Sequence, residues 1–235
     1  MKSCLKTSAL ALALFAIGLS PAYAGMQIGD QIQFFNGVGH PGGIFIVDNL
    51  TDPLEPNFDT FCAELEEFIL FSPAQYVVDN ISLSTVTGGK ALTSYAAWLY
   101  DRFLGGGGGL SAFNPLNATH VNTLQFAIWK DLGYSQVDMD TYIGPGFYTT
   151  YDPLHTARTW QADYTTDVNN FAWSGVGDIR VLNVKTLGGA HAQDQLVKIR
   201  IGTQREVPEP LSIVLWSLVI ACVGGMWTSN SRSRA

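Results

Sequence analysis

The period of the apolar positions changes twice along the chain. Gln27 to Phe35 and Gly43 to Asp48 alternate or run apolar, with Gly and Asn-Gly punctuation between them, which predicts strands. Tyr76 to Leu83 predicts another. Phe61 to Phe71 carries both signals: it begins like a strand, but Leu65, Phe68 and Ile69 have helical spacing. From Ala91 to Leu104 the period is helical, with Leu92, Tyr95, Ala96, Leu99 and Phe103 on one stripe. A second helix, capped by Asn117 or Thr119 and ended by Gly133, runs to Leu132 and aligns Val121, Gln125, Ile128, Trp129 and Leu132. A third is expected near Thr156 to Phe171. Ile179 to Val184 and Gln195 to Ile201 return to a strand pattern and predict a hairpin. The expected fold class is α+β, a sheet or sandwich-like body built from both ends of the domain around a central helical insert.

The two ends of the chain read differently from this body. Lys2 and Lys6 precede an apolar run from Leu10 to Leu19, and Ala22-Tyr23-Ala24 supplies the small-x-small pattern of a cleavage site. Residues 1–24 are therefore expected to be a signal peptide removed by signal peptidase after Ala24. Leu211 to Thr228 is uncharged and apolar, close to the ~20 residues of a membrane helix. Arg232 and Arg234 follow it, which places that end on the cytoplasmic side and residues 25–207 outside.

Charge narrows the partners. Of 13 basic residues four lie in the two ends, whereas all 20 acidic residues lie between the signal and the apolar tail. Such an acidic body has no electrostatic footprint for nucleic acid. Cys4 and Cys222 fall in the two terminal segments, so Cys62 is the single thiol of an exported body. An unpaired thiol in an oxidising compartment invites a reason, either inert burial or chemistry. Gln125 is a second oddity: its amide lies on a helical stripe expected to be buried, where an unpartnered amide costs ~1–3 kcal/mol.

Phe61-Cys62 and Leu124-Gln125-Phe126-Ala127-Ile128-Trp129 together resemble the paired motifs of bacterial thioester domains, and Ser94 to Tyr100 resembles the helix between them. The resemblance spans about Phe61 to Leu132, and Leu124 stands where that family often has Thr. It implies that Cys62 attacks the Gln125 carboxamide, releases ammonia and leaves an internal thioester. An amine or hydroxyl target then takes the acyl group in a single covalent event, with no cofactor and no turnover. Phe61, Trp98, Phe126 and Trp129 are candidates for excluding water, or ordinary core residues. Glu64 is a candidate proton carrier, or a surface carboxylate. Pro208-Glu209-Pro210 with the apolar tail and Arg232 and Arg234 resembles the PEP-CTERM sorting signal of Gram-negative bacteria, residues 208–235. That resemblance implies an exosortase-type enzyme, transient anchoring in the inner membrane by the C-terminal helix, and delivery to the cell surface or extracellular matrix. A surface or matrix polysaccharide or protein is then the expected partner.

Other chemistries fit less of the chain. A non-covalent carbohydrate-binding or structural module would use Tyr142, Tyr148 and Tyr151 on a Gly/Pro-rich loop. A Cys-His hydrolase would pair Cys62 with His120, His155 or His191. His40, His120, His155 and His191 lack zinc-ligand spacing, and Asp138, Asp140 and the Asp48 to Asp59 loop do not fit an EF-hand, so no metal is expected. Gly105 to Gly109 lacks the Gly-Lys-Ser/Thr of a phosphate loop and reads as a flexible connection.

Overall fold

The structure is a computed structural model, and it describes residues 25–39, 42–105, 110–156 and 158–199. The chain divides into two compact units, Met1–Arg200 and Ile201–Ala235, and every described residue belongs to the first. The signal peptide with Ala22 and Ala24, the Pro208-Glu209-Pro210 motif, the apolar tail, and Arg232 and Arg234 all lie outside the described residues. No described helix is long and apolar enough to cross a membrane.

Strict alternation makes the first strands. In β1 (Gln31–Asn36) Ile32 and Phe34 are buried, and in β2 (Phe45–Asn49) Phe45, Val47 and Asn49 are. Then come β3 (Phe58–Thr60), β4 (Gln75–Ser82), β5 (Ile179–Thr186) and β6 (His191–Lys198). They form one antiparallel sheet in the order β3-β2-β1-β4-β5-β6 rather than a two-sheet sandwich. The sheet is built from both ends of the body, as the apolar pattern predicts.

Its two outer strands do not stay apart. Beyond β3 the chain continues extended along β6: Leu196 N–H donates to Phe61 O at 2.9 Å, and Ala63 N–H donates to Asp194 O at 2.8 Å. Cys62 thereby forms a bridge with Gln195, and the two edges of the sheet are hydrogen-bonded to one another at a seam. Phe61 to Phe71 consequently holds no helix. Phe61, Cys62, Ala63 and Leu65 are buried at the seam while Phe68 and Leu70 are exposed.

The helical insert joins β4 to β5. In α1 (Ser94–Leu104) Thr93 is the N-cap, and in α2 (Ala118–Asp131) it is Asn117. The sequence pattern predicts one helix after these, near Thr156 to Phe171, but there are three: α3 (Gln136–Tyr142), α4 (Phe147–Thr156) and α5 (Trp160–Asn169). Two were hidden for physical reasons. α3 is only 7 residues long and rests on a Ser135/Asp138 capping box, and α4 contains Pro153. α2 lies between neighbours, with Val121 through Trp129 buried on all sides of the helix.

Candidate functional site

Pairing at the seam decides which way Cys62 faces. Phe61 O and Ala63 N–H point at β6, so the N–H and C=O of Cys62 point away from it, beyond the end of β2. The side chain of Gln125 meets them there. Cys62 N–H donates to Gln125 Oε1 at 2.9 Å, and Gln125 Nε2 donates to Cys62 O at 2.8 Å. The carboxamide thus pairs with Cys62 in place of a neighbouring strand, and both residues are 1 % exposed or less. The sequence pattern requires that this buried amide be satisfied or changed, and its partner is the backbone of the one cysteine in the body.

The sulfur faces another amide. Gln195 Nε2 lies 3.6 Å from Cys62 Sγ and also donates to Gln193 O at 3.1 Å. Burial pushes the Cys62 thiol up. The Gln195 hydrogen bond opposes that shift, and the nearby Glu64 charge reinforces it. Neither Gln193 nor Gln195 was expected from sequence. The available signal was a polar Gln193-Asp194-Gln195 run inside a strand with buried neighbours, where polar groups need a reason.

Glu64 is not a surface carboxylate. It is 1 % exposed, because the 62–64 segment is covered by β6: Gln193 Nε2 donates to Glu64 O at 2.8 Å, and Asp194 N–H donates to Glu64 Oε2 at 3.3 Å. Its Oε1 is buried without a hydrogen-bond partner. Burial first, and then the charge of Asp194, pushes its pKa up to about 8.

The aromatic candidates divide. Trp129 and Gln125 share one neighbour: a Cβ added to Gly42 would lie 2.9 Å from the Trp129 ring and 3.2 Å from Gln125 Cγ. Phe61 is buried beside Cys62 and stands edge-on to Phe103, with ring centroids 4.9 Å apart. Phe126 faces α4, against Phe147, Tyr148 and His155. Trp98 belongs to the α1–α5 packing: it contacts Tyr95 and Tyr164 and donates to Asp167 at 2.8 Å. Those two are core residues of the insert.

Beside the site a groove of about 170 Å³ is lined by Asn36, Phe45, Phe68, Phe71, Tyr142 and Gln193, among others. Gln193 lines it and also accepts from Gln195, so the groove wall is one residue removed from the sulfur's hydrogen-bond donor. Tyr142, Tyr148 and Tyr151 do not share a loop: Tyr142 ends α3, while Tyr148 and Tyr151 lie on α4 and pack on the core. Tyr151 also accepts from Asn122 at 2.9 Å.

No described histidine is hydrogen-bonded to Cys62. His120 Nδ1 accepts from Asn114 N–H at 3.0 Å, His155 lies between Phe126 and Trp160, and His191 is exposed at the start of β6. His40 lies outside the described residues. Among the described residues no group of three or more His, Cys, Asp or Glu side chains could hold a metal ion. Compared with known proteins, this chain matches no protein-family model, no curated protein and no solved structure.

Proposed function

We propose that this chain is an exported, surface-sorted protein whose body carries an internal Cys62–Gln125 thioester for one covalent attachment to an amine or hydroxyl on a surface or matrix component. One observation carries the reading: the Gln125 carboxamide is hydrogen-bonded on both sides to Cys62 itself, inside a buried site. Proximity of this kind is the main requirement for an intramolecular acyl transfer.

Each contact has a use in that chemistry. Cys62 Sγ attacks Gln125 Cδ. The S–C bond forms, the C–N bond breaks, and ammonia leaves with the thiol proton. Cys62 N–H, already on Oε1, stabilises the oxyanion that develops there. Gln195 Nε2 supports negative charge on the sulfur, both in attack and when a target amine or hydroxyl later expels it. Phe61 and Trp129 limit the access of water, which would otherwise hydrolyse the thioester. The signal peptide and the PEP-CTERM-like segment would deliver the body through signal peptidase and an exosortase-type enzyme to the cell surface or matrix.

Denaturing mass spectrometry of the full-length protein tests this. The expected result is a mass deficit of ~17 Da, the ammonia lost in amide-to-thioester conversion, absent in Cys62→Ala and in Gln125→Ala. A thiol that labels stoichiometrically on unfolding, with no deficit, rejects it.

A second reading is favoured by the same hydrogen bonds. They satisfy the buried amide without covalent chemistry, so Gln125 would be a clamp on the seam, and the aromatic groove would bind a matrix carbohydrate reversibly. Polysaccharide binding that survives Cys62→Ala and reverses in denaturant selects this alternative.

A further inference from the structure

The thioester reaction, as drawn, leaves two protons to be moved in a site that excludes water. The thiol must lose one and the departing nitrogen must gain one. The buried thiol does not ionise readily on its own, since burial holds it protonated.

One buried acid near the sulfur is under-bonded. Glu64 accepts one long hydrogen bond, 3.3 Å from Asp194 N–H to Oε2, with the Thr87 hydroxyl nearby favouring the charged form weakly, and its Oε1 has no partner. No salt bridge to a cation engages it among the described residues. The titratable groups around it are mostly acids. Asp194 faces it from β6, Cys62 and Glu66 belong to its own segment, and Tyr134 follows α2 with Lys90 4.7 Å above its ring. Tyr134 O–H donates to Glu66 Oε2 at 2.8 Å, which occupies that carboxylate instead. A buried carboxyl with only weak donors and like charges around it is held as the neutral acid. A neutral acid with an unpartnered oxygen can give one proton and take another.

Resting on the Cys62–Gln125 thioester reading, we propose that Glu64 is the proton carrier of that reaction. One carboxyl oxygen takes the proton of the Cys62 thiol as the other gives its own to Gln125 Nε2. The Sγ–Cδ bond forms, the Cδ–Nε2 bond breaks, ammonia leaves, and Glu64 ends protonated as it began. In the attachment step the same group takes the proton of the incoming amine or hydroxyl and returns one to the sulfur.

The reaction can be run repeatedly on the full-length protein. Ammonia cleaves the thioester and restores Gln125 and the thiol. After its removal, re-formation is followed by the ~17 Da loss on denaturing mass spectra. Glu64→Gln keeps the shape and the neutral charge, so it is expected to fold. It should re-form the thioester roughly 100-fold more slowly, the scale of a lost general acid–base. Glu64→Asp should recover part of the rate. The pH dependence separates proton transfer from mere support. The wild-type rate should fall as pH rises through about 8, where Glu64 loses its proton. The residual Glu64→Gln rate should instead rise with pH as the thiol ionises. A wild-type rate that climbs through pH 8 overturns the proposal without any variant. So does a Glu64→Gln protein with the wild-type rate and profile, which leaves the thioester itself standing. A wild-type protein that never shows the mass deficit removes both.

Discussion

The two sides of β6 handle buried polar groups in opposite ways. Alternation along β6 turns its polar run in two directions, beside a register irregularity between Leu182 and Val184. Asp194 turns toward β5 and the turn that follows β4. Its Oδ2 accepts from Val86 N–H at 2.7 Å and from Asn183 Nδ2 at 2.8 Å, and its Oδ1 accepts from Val184 N–H at 3.3 Å. Gln193 and Gln195 turn the other way, toward Cys62 and Glu64, and on that side Gln195 Oε1, Glu64 Oε1 and Trp129 Nε1 are buried without partners. A scaffold satisfies its polar groups; a site that must change bonding during a reaction keeps some in reserve. The comparison assigns the Asp194 side to stability and the Cys62 side to chemistry, and variants on the two sides should fail differently.

The largest effect on folding belongs to Asp194→Ala. It removes the acceptor of Val184 N–H and one acceptor of Asn183 Nδ2 in the interior and of Val86 N–H nearer the surface, so roughly 3 kcal/mol of stability should be lost in denaturant titration. Gly42→Ala comes next. The new methyl would crowd both the Trp129 ring and Gln125, 2.9 Å and 3.2 Å away, in a region with no space to yield. Overpacking of this sort costs about 1–3 kcal/mol. Because it pushes on Gln125 directly, the ~17 Da deficit should also shrink. If Gly42→Ala loses stability yet keeps full thioester content, the pairing of Gln125 with Cys62 tolerates displacement and is not the controlling geometry.

How far this was legible in sequence follows the same divide. Ile32 and Phe34, or Tyr76 and Val78, alternate cleanly because one face of each strand is buried, and period alone shows it. Asn117 is readable as a cap, although Thr119 is its rival, whereas the pattern predicts the first helix from Ala91 and its cap is Thr93. Cys62 and Gln125 were singled out because each is chemically out of place, a lone thiol and an amide on an apolar stripe. The pattern predicts the strand only from Gln195, and the start of β6 is lost because Gln193 and Asp194 look like a loop. Both are strand residues whose polarity is answered by groups distant in sequence, Gln193 by Glu64 O and Asp194 by Asn183 on β5. Glu64 reads in sequence as a proton carrier or a surface carboxylate, but its burial is not legible, because it depends on β6 crossing over it, which no local pattern encodes. Trp98 and Phe126 lie near the motifs in sequence, but their contacts run into α5 and α4.

Gln195→Leu should show the divide on the reactive side. It removes a donor from the sulfur and from Gln193 O but also removes an orphaned oxygen, so stability should change by about 1 kcal/mol or less. Reactivity should change more. A hydrogen bond to a charged sulfur is worth about 1.5 kcal/mol, which corresponds to roughly tenfold slower consumption of the thioester by methylamine. Equal rates in the two proteins would place Gln195 with Asp194 as scaffold.

The smallest effect is a slope. Glu64 holds its proton in the folded chain up to a pKa of about 8, above the 4.5 of an ordinary glutamate. Between those pH values the folded state binds a proton that the unfolded state has lost, so this group's contribution to stability is full below about pH 4.5 and is lost as pH rises through about 8. Other buried groups tilt the same curve. The raised pKa values of Asp194 and Asp59, from burial, act in the same direction. The pKa of His155, lowered by burial, acts oppositely, adding stability as pH rises through the ordinary histidine range. Only the difference between wild type and Glu64→Gln isolates Glu64. The denaturation midpoint of wild type should fall relative to that of Glu64→Gln from pH 5 to pH 8, and the variant should be the more stable protein at the alkaline end. Parallel curves would mean that Glu64 is ionised in the folded chain, and the reactive side of β6 would then hold a charge that nothing there compensates.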